Sequence, residues 1–324
     1  MTLDAQILSE LRQAGADGIG AATLAMRLRQ DSAVVTQHIS ELCDLGYEIE
    51  STPHLGFRLV SVPDLLHADD LISRFSPDRI VGRDIQVFQQ TSSTNDVVEK
   101  MARDGVAEGV VVFAESQTKG RGRLGRKWIS PAGQGLWFSV LLRPKMPPAS
   151  VTQLTIAAAT AVARAIRTQT ELTPQIKWPN DILVRGKKVA GILTELSAEL
   201  DQVRYVVIGI GVDVNVKDFP SELDGVATSL AGEAGRHFVR AETAAAILHE
   251  LDVDYARLKR GEFTALAEEW EQHCLTLGRR VQIHIGERTL SGRAESLDND
   301  GALLLRTDHG HLERIVGGDV TIEK

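Results

Sequence analysis

Cysteine is nearly absent from this chain of 324 residues: Cys43 and Cys274 stand far apart, with no second cysteine near either. A disulfide framework and a cysteine-rich metal cluster are thereby excluded, and a reduced cytoplasm is the expected setting. No apolar run approaches the roughly 20 residues that a spanning helix needs, so no membrane insertion is expected. The start, Met1-Thr2-Leu3-Asp4, lacks a basic segment followed by an apolar one, and no signal peptide is expected. Low-complexity tracts are missing as well, and with 43% hydrophobic residues the chain is neither mainly disordered nor fibrous. Its length holds about two to three domains with sizeable cores.

The most informative absence is of negative charge in one window. From Ser116 to Thr170 there is no Asp or Glu, while Lys119, Arg121, Arg123, Arg126, Lys127, Arg143, Lys145, Arg164 and Arg167 are present. That segment carries +9 in a chain of net charge −8, which leaves −17 for the rest. An acidic protein that keeps one long window free of acids is expected to hold an anion there.

The chain divides into unequal parts. Residues 1–62 read as three helices and a hairpin. Ile7, Leu8 and Leu11 suit a first helix that Gly15 and Gly18 break; Ala21 to Leu28 suit a second; Asp31-Ser32 caps a third that runs to Leu45, with Gly46 ending it. Tyr47 to Glu50 and Gly56 to Leu59 alternate as two short strands would, joined by a turn at Thr52-Pro53-His54. This is the winged helix-turn-helix plan. Residues 63–80, rich in Pro, Asp and Ser, read as a linker. Residues 81–276 mix helices with β-rich runs such as Val110 to Phe113 and Tyr205 to Ile208. Asp181 to Val184, Arg185-Gly186 and Val189 to Leu196 form a predicted hairpin, which favours a mixed sheet over a βαβ array. Residues 277–324 hold short alternating strands divided by Gly286, Gly292, Asn299-Asp300-Gly301, His309-Gly310 and Gly317-Gly318, the pattern of a small β-barrel. The expected fold class is α+β.

Gly120-Arg121-Gly122-Arg123-Leu124-Gly125-Arg126-Lys127-Trp128 concentrates the chemistry. Its glycines let the backbone approach a ligand closely and adopt positive φ, and its arginines offer planar forks for carboxylate or phosphate oxygens. It is not the phosphate loop of nucleotide hydrolases, which needs Gly-Lys-Ser/Thr entering a helix. A solvated Arg-Gly segment is the bland alternative. Against it stand the loop's single occurrence, the predicted buried strand before it and Trp128 at its end.

Thr91-Ser92-Ser93-Thr94-Asn95, Gln117, the glycine loop, Lys177-Trp178-Pro179-Asn180-Asp181, Lys188 to Leu193 and Gly209-Ile210-Gly211 follow in that order. In that order they resemble the biotin protein ligases, and residues 1–62 resemble the repressor domain of the bifunctional members. The resemblance implies a catalytic domain of the class II aminoacyl-tRNA synthetase/biotin ligase type and an SH3-like C-terminal barrel. It also implies two steps: biotin and ATP, with Mg2+, give biotinyl-5′-AMP, and a lysine of the biotin carboxyl carrier protein then attacks it. On this reading Arg121, Arg123 and Lys188 offset the repulsion between the two anions. Ser93, Thr94, Asn95 and Gln117 face biotin, as do Gly120, Gly191, Gly209 and Gly211. Arg123, Arg126, Trp128, Lys177 and Asn180 face the nucleotide, with Trp128 stacked on the purine. Asp181 acts through Mg2+ or orients Lys177. Closure of the loop keeps water from the mixed anhydride. A homodimer through a sheet edge is implied as well.

Two departures stand out. Many members have Asn where Asp213 stands in Gly209-Ile210-Gly211-Val212-Asp213-Val214-Asn215, and an ionised carboxylate cannot donate as an amide would. The third helix of the N-terminal unit has no Lys or Arg from Asp31 to His38. Across residues 1–62, Arg12, Arg27, Arg29 and Arg58 face eight acids, a net of −4. Ser32, Thr36, Gln37, His38 and Arg58 are the candidate contacts to operator DNA, and with so little positive charge the binding is expected to be weak. A lipoate or octanoate ligase on the same scaffold, or a DNA-binding regulator alone, are the alternative functions.

Overall fold

The computed structural model describes residues 1–52 and 56–323, so that Pro53 and His54 of the expected turn lie outside the described residues. Helix α1 (Leu3–Ala14) starts at Thr2, whose hydroxyl accepts from the Ala5 N–H, and Gly15 ends it at φ +55°. Helices α2 (Ala21–Leu28) and α3 (Ser32–Asp44) follow, and Gly46 after α3 has φ +96°. Strands β1 (Glu48–Thr52) and β2 (Gly56–Ser61) pair antiparallel. Ile7, Leu8, Leu11, Leu24, Val35, Leu42 and Phe57 form the core of this small unit. A Cβ on Gly56 would meet the Ile19 carbonyl at 2.3 Å, so only glycine lets β2 approach the loop before α2.

The expected linker carries a helix of its own. Helix α4 (Ala68–Ser73) buries Leu71 and Asp70, and Leu66 before it is 2% exposed. The Asp70 carboxylate pairs with Arg12 of α1 and, at 3.0 Å, with Arg74. Residues 64–66 are fastened in turn by Arg240, 1% exposed, which binds Asp64 at 3.1 Å and Glu115 at 2.6 Å. Glu115 also accepts from the Leu66 N–H. Two ion pairs, each with one buried partner, thus stitch the segment to its neighbours, and removing the partner of Asp70 or of Arg240 would leave a buried charge less well paired.

The central part is built on strands β3 (Asp84–Thr91), β4 (Val110–Gln117), β5 (Leu136–Leu142), β6 (Gln175–Lys177), β7 (Asp181–Val184), β8 (Lys187–Glu199) and β9 (Gln202–Val212). They form one seven-stranded sheet in the order β3-β4-β5-β9-β8-β7-β6, with only the β3/β4 pair parallel. Period two explains how β4 serves both faces: Val111 and Phe113 join the main core, while Val110 and Val112 pack with Val98 and Ala102 of α5 (Thr94–Arg103). The main core is closed by α6 (Thr152–Thr170), α8 (Arg240–Lys259) and α9 (Phe263–His273), with the short α7 (Leu230–Ala234) preceding α8. Residues Pro148–Thr170 are long and apolar enough to span a membrane, contrary to the expectation from hydrophobic runs. Their most apolar 18-residue window is 78% buried inside the protein, so the apolarity serves the core.

Strands β10 (Arg280–Ile285), β11 (Arg288–Leu297), β12 (Leu303–Thr307), β13 (Leu312–Ile315) and β14 (Asp319–Ile322) make an antiparallel sheet in the order β13-β12-β11-β10-β14. Gly292 does not divide strands as expected; it pairs inside β11 with Val281 and Thr307. A Cβ there would lie 2.2 Å from the Arg306 carbonyl. The chain as a whole is of mixed α+β class.

Candidate active site

A cavity of about 470 Å³ opens where the start of α5, the glycine loop, β7 to β9 and the start of β14 converge. Its wall is made by Ser93, Thr94, Asn95, Gln117, Arg121, Arg123, Arg126, Trp128, Lys177, Asn180, Asp181, Lys188, Gly191, Gly209, Gly211 and Asp213. Residues predicted from six separate stretches of sequence therefore share one pocket. Gly120 lies behind the wall, where a Cβ would meet the Trp128 carbonyl at 2.4 Å and Gln117 Nε2 at 3.2 Å.

One end of the pocket is neutral and rich in hydrogen-bonding groups. Ser93 takes the N-cap position of α5 in extended conformation, yet its hydroxyl does not cap the helix. Gln117 does so instead: its Oε1 accepts from the Thr94 N–H at 2.9 Å and from the Thr94 hydroxyl at 3.3 Å, while its Nε2 donates to Ser130 Oγ at 2.9 Å. The Ser139 hydroxyl bonds Thr94 Oγ1 at 2.7 Å and Asn95 Oδ1. The first N–H groups of α5 are satisfied within this end: Thr94 donates to Gln117, and Asp96 and Val97 donate to the Ser93 carbonyl. Gly209 is required here, since a Cβ would stand 2.3 Å from Asn95 Oδ1.

The other end is charged. Lys188 Nζ lies 2.6 Å from Asp181 Oδ1 and 5.1 Å from the centre of the Trp128 ring. Asp181 therefore pairs with Lys188, a partner that neither expected role for Asp181, holding Mg2+ or orienting Lys177, named; β7 and β8 run side by side, with Leu183 opposite Lys188 in register. Arg123 Nη1 donates to two neutral oxygens, Asn180 Oδ1 and the Gly318 carbonyl, each at 3.3 Å. Burial lowers the Arg123 pKa, against the pull of Asp319 and Asp181. Asn180 is itself fixed through Nδ2 to the Ile192 carbonyl at 2.7 Å. Arg126 pairs with Asp319 at the start of β14.

Arg121 is placed differently from expectation. Its fork is taken by Glu195, with Nε at 3.2 Å and Nη2 at 2.9 Å, and by Asp96. The hydrogen bonds that Arg121 donates to Glu195 raise its pKa above the ordinary value. Of the loop glycines only Gly125 has positive φ, +74°, and the bend beside it is made by Leu124 at φ +55°.

The Trp128 indole fills the space over two glycines paired across β8 and β9. A Cβ on Gly191 would meet the ring at 2.9 Å and one on Gly211 at 2.5 Å. The ring packs edge-on to Trp137 at 6.3 Å, and its Nε1 is buried without a hydrogen-bond partner. Asp213, 6% exposed, faces the same region, and burial holds its carboxyl well above the usual pKa against the opposing charge of Lys188. Among the described residues no group of three or more His, Cys, Asp or Glu is arranged to hold a metal ion.

Ser130, Ser139, Glu195, Asp96 and the Gly318–Asp319 turn belong to the site and were missed from sequence. Ser139 carried a signal, since it is the lone hydroxyl in the otherwise apolar β5. The others carried none, being ordinary surface residue types.

The candidate DNA contacts lie in the small N-terminal unit, and most are tied locally. Thr36 bonds the Ser32 carbonyl, Gln37 donates to Glu41 at 2.9 Å, His38 lies 2.7 Å from Asp4, and Arg58 pairs with Glu50 at 2.6 Å. Arg27 pairs with Glu10 at 2.8 Å.

Known proteins match this architecture. Residues 87–213 match the biotin/lipoate A/B protein ligase family and residues 276–322 the biotin protein ligase C-terminal domain. A fold and pocket of this kind thus define an acyl–protein ligase in the broad sense. The bifunctional ligase/repressor BirA of Bacillus subtilis is 37% identical over 99% of both chains. A biotin–[acetyl-CoA-carboxylase] ligase of Mycobacterium tuberculosis is 34% identical over 75% of this chain and 92% of its own. The structure of a biotin protein ligase from Aquifex aeolicus in complex with biotin and ATP superposes with a TM-score of 0.64 at 31% identity, covering 75% of this chain and 99% of that one. The chain belongs to the biotin protein ligase family.

Proposed function

We propose that this protein activates biotin with ATP and transfers it to a lysine of the biotin carboxyl carrier protein of acetyl-CoA carboxylase. The observation that carries this reading is the polarity of the cavity: a neutral, hydrogen-bonding end at Ser93, Thr94 and Gln117 opposes a cationic end at Arg123 and Lys188. A ureido ring needs the first and a carboxylate meeting a triphosphate needs the second.

In the first step a biotin carboxylate oxygen attacks the α-phosphorus of ATP, and the bond to the bridging oxygen of pyrophosphate breaks. Lys188 and Arg123 bring positive charge to oxygens that gain negative charge, inside a cavity that excludes much of the water. Lys188 moves from Asp181 to the substrate, and no covalent enzyme intermediate is needed. In the second step the neutral amine of the carrier lysine attacks the acyl carbon and AMP leaves. Asn180 faces the nucleotide. Trp128 walls the acyl chain and nucleotide, with Gly191 and Gly211 leaving room for its ring. Mg2+ would be held by one or two carboxylates plus phosphate oxygens of ATP and would neutralise charge on those oxygens; Asp181, once released by Lys188, would be the carboxylate of the cavity wall to hold it.

Residues 1–62 act as a winged helix-turn-helix unit that binds an operator when biotinyl-AMP is present, 63–80 join it to the catalytic part at 81–276, and an SH3-like unit at 277–324 closes the nucleotide side. Three helices with a paired hairpin support the first assignment, as do the ligase/repressor relatives that match over nearly the whole chain. The protein works in the cytoplasm, where its two free cysteines stay reduced, and pairs with a second copy on the operator.

Incubation with labelled biotin, MgATP and an acceptor domain tests the reading. Label on the acceptor lysine is expected, with octanoate and lipoate failing to compete; transfer of octanoate or lipoate in place of biotin would move the protein to the neighbouring acyl ligases.

A further inference from the structure

Arg121 stands in the loop that the reading above assigns to substrate anions, yet its charge is already used. Glu195 accepts two of its N–H groups, at 3.2 and 2.9 Å, and Asp96 accepts a third. Two carboxylates around one guanidinium leave no net positive charge to attract a phosphate. Glu195 has a further partner: its Oε2 accepts from Asn95 Nδ2 at 2.6 Å. Asn95 Oδ1 is held from the other side by Ser139, against Gly209. Glu195 on β8 therefore ties together the glycine loop, the first turn of α5 and the floor of the neutral end.

We infer that Glu195 is a positioning residue of the ligase reaction: through Arg121 it straps the glycine loop down over the cavity, and through Asn95 it sets the hydrogen-bonding floor. Arg123, which donates to neutral oxygens and makes no ion pair among the described residues, and Lys188 are left to meet the reacting anions. The strap is a four-member network of charged and amide groups, so it holds more firmly than an isolated surface pair would.

This inference rests on the ligase reading for its kinetic part and stands independently of it for its structural part. The experiment compares parent, Glu195→Ala and Glu195→Gln without ligand under limited trypsin digestion, whose sites include Arg121, Arg123, Arg126 and Lys127. Cleavage of the loop in Glu195→Ala is expected about tenfold faster than in the parent, with an unchanged melting temperature, and Glu195→Gln, which keeps one acceptor, falls between. In the exchange assay the Ala variant raises the KM for biotin about tenfold while kcat stays within about threefold, because remote positioning alters binding more than chemistry. Equal loop cleavage in all three proteins would overturn the strap. Loss of kcat at unchanged KM would overturn the positioning role and make Glu195 a group that touches the reacting atoms. An inactive parent whose loop is still released by Glu195→Ala would sink the ligase reading while leaving the strap in place.

Discussion

Lys188 Nζ and Asp181 Oδ1 face each other at 2.6 Å across adjoining strands, with the Trp128 ring 5.1 Å from the same nitrogen. The pair holds the Lys188 amine at the charged end of the cavity before any substrate arrives. A substrate carboxylate or phosphate then exchanges for Asp181. Lys188→Ala is expected to lower the rate of adenylate formation at least ~100-fold, the scale of losing one preorganised transition-state donor. Circular dichroism should show an intact fold. Parent-like rates would remove Lys188 from the chemistry.

Among the described residues Arg123 makes no ion pair and donates to two neutral oxygens, the Asn180 side-chain oxygen and the Gly318 carbonyl, so its charge is open to the intermediate. Arg123→Gly should let biotinyl-AMP escape. Free adenylate in an ultrafiltrate, and biotin on arbitrary lysines of a bystander protein, are the expected readouts. Retention as tight as in the parent would contradict the role.

Asp213 contributes a pH dependence whose sign follows from its raised pKa. The folded state binds its proton more tightly than the unfolded chain. Its favourable contribution is therefore complete below the ordinary Asp range and is lost as pH rises through the higher folded value. Asp213→Asn removes this titration, so near neutral pH the variant should melt higher, by on the order of 2 °C. That advantage should vanish as pH falls to about 4. A variant that melts lower at every pH would show that the carboxylate is a stabilising partner of Lys188.

The N-terminal unit predicts weak and weakly salt-dependent DNA binding. It has only four arginines; Arg12, Arg27 and Arg58 are paired with Asp70, Glu10 and Glu50. Since each phosphate contact contributes about −0.9 to the slope of log K against log salt, the slope per copy should be no steeper than about −4. Footprinting that strengthens with biotinyl-AMP over several salt concentrations checks both points. A steeper slope would place basic residues outside 1–62 on the DNA.

Helix positions and the pocket walls were legible in sequence for a physical reason. Gly15, Gly46 and the apolar spacing of Ile7, Leu8 and Leu11 act locally, and the glycine loop, Lys188 and the β8/β9 glycines are held in place by backbone requirements. What escaped depends on distance in three dimensions. Glu195 lies 74 residues from Arg121 and Arg126 lies 193 from Asp319, so neither partner could be read along the chain. Gln117 was assigned to biotin, and its capping of α5 became visible only once β4 was placed beside it. The segment at 63–80 looked like a linker because of its Pro, Asp and Ser, while Asp64 and Asp70 find distant arginines, Arg240 and Arg12, that no local pattern announces.

The central claim is that this cavity joins biotin to AMP. Biotin-dependent exchange of labelled pyrophosphate into ATP by the purified full chain reports that step alone, before any acceptor protein is added. Exchange that requires biotin and falls at least ~100-fold in Lys188→Ala is the predicted result. No exchange above a biotin-free control, with properly folded protein, would contradict it.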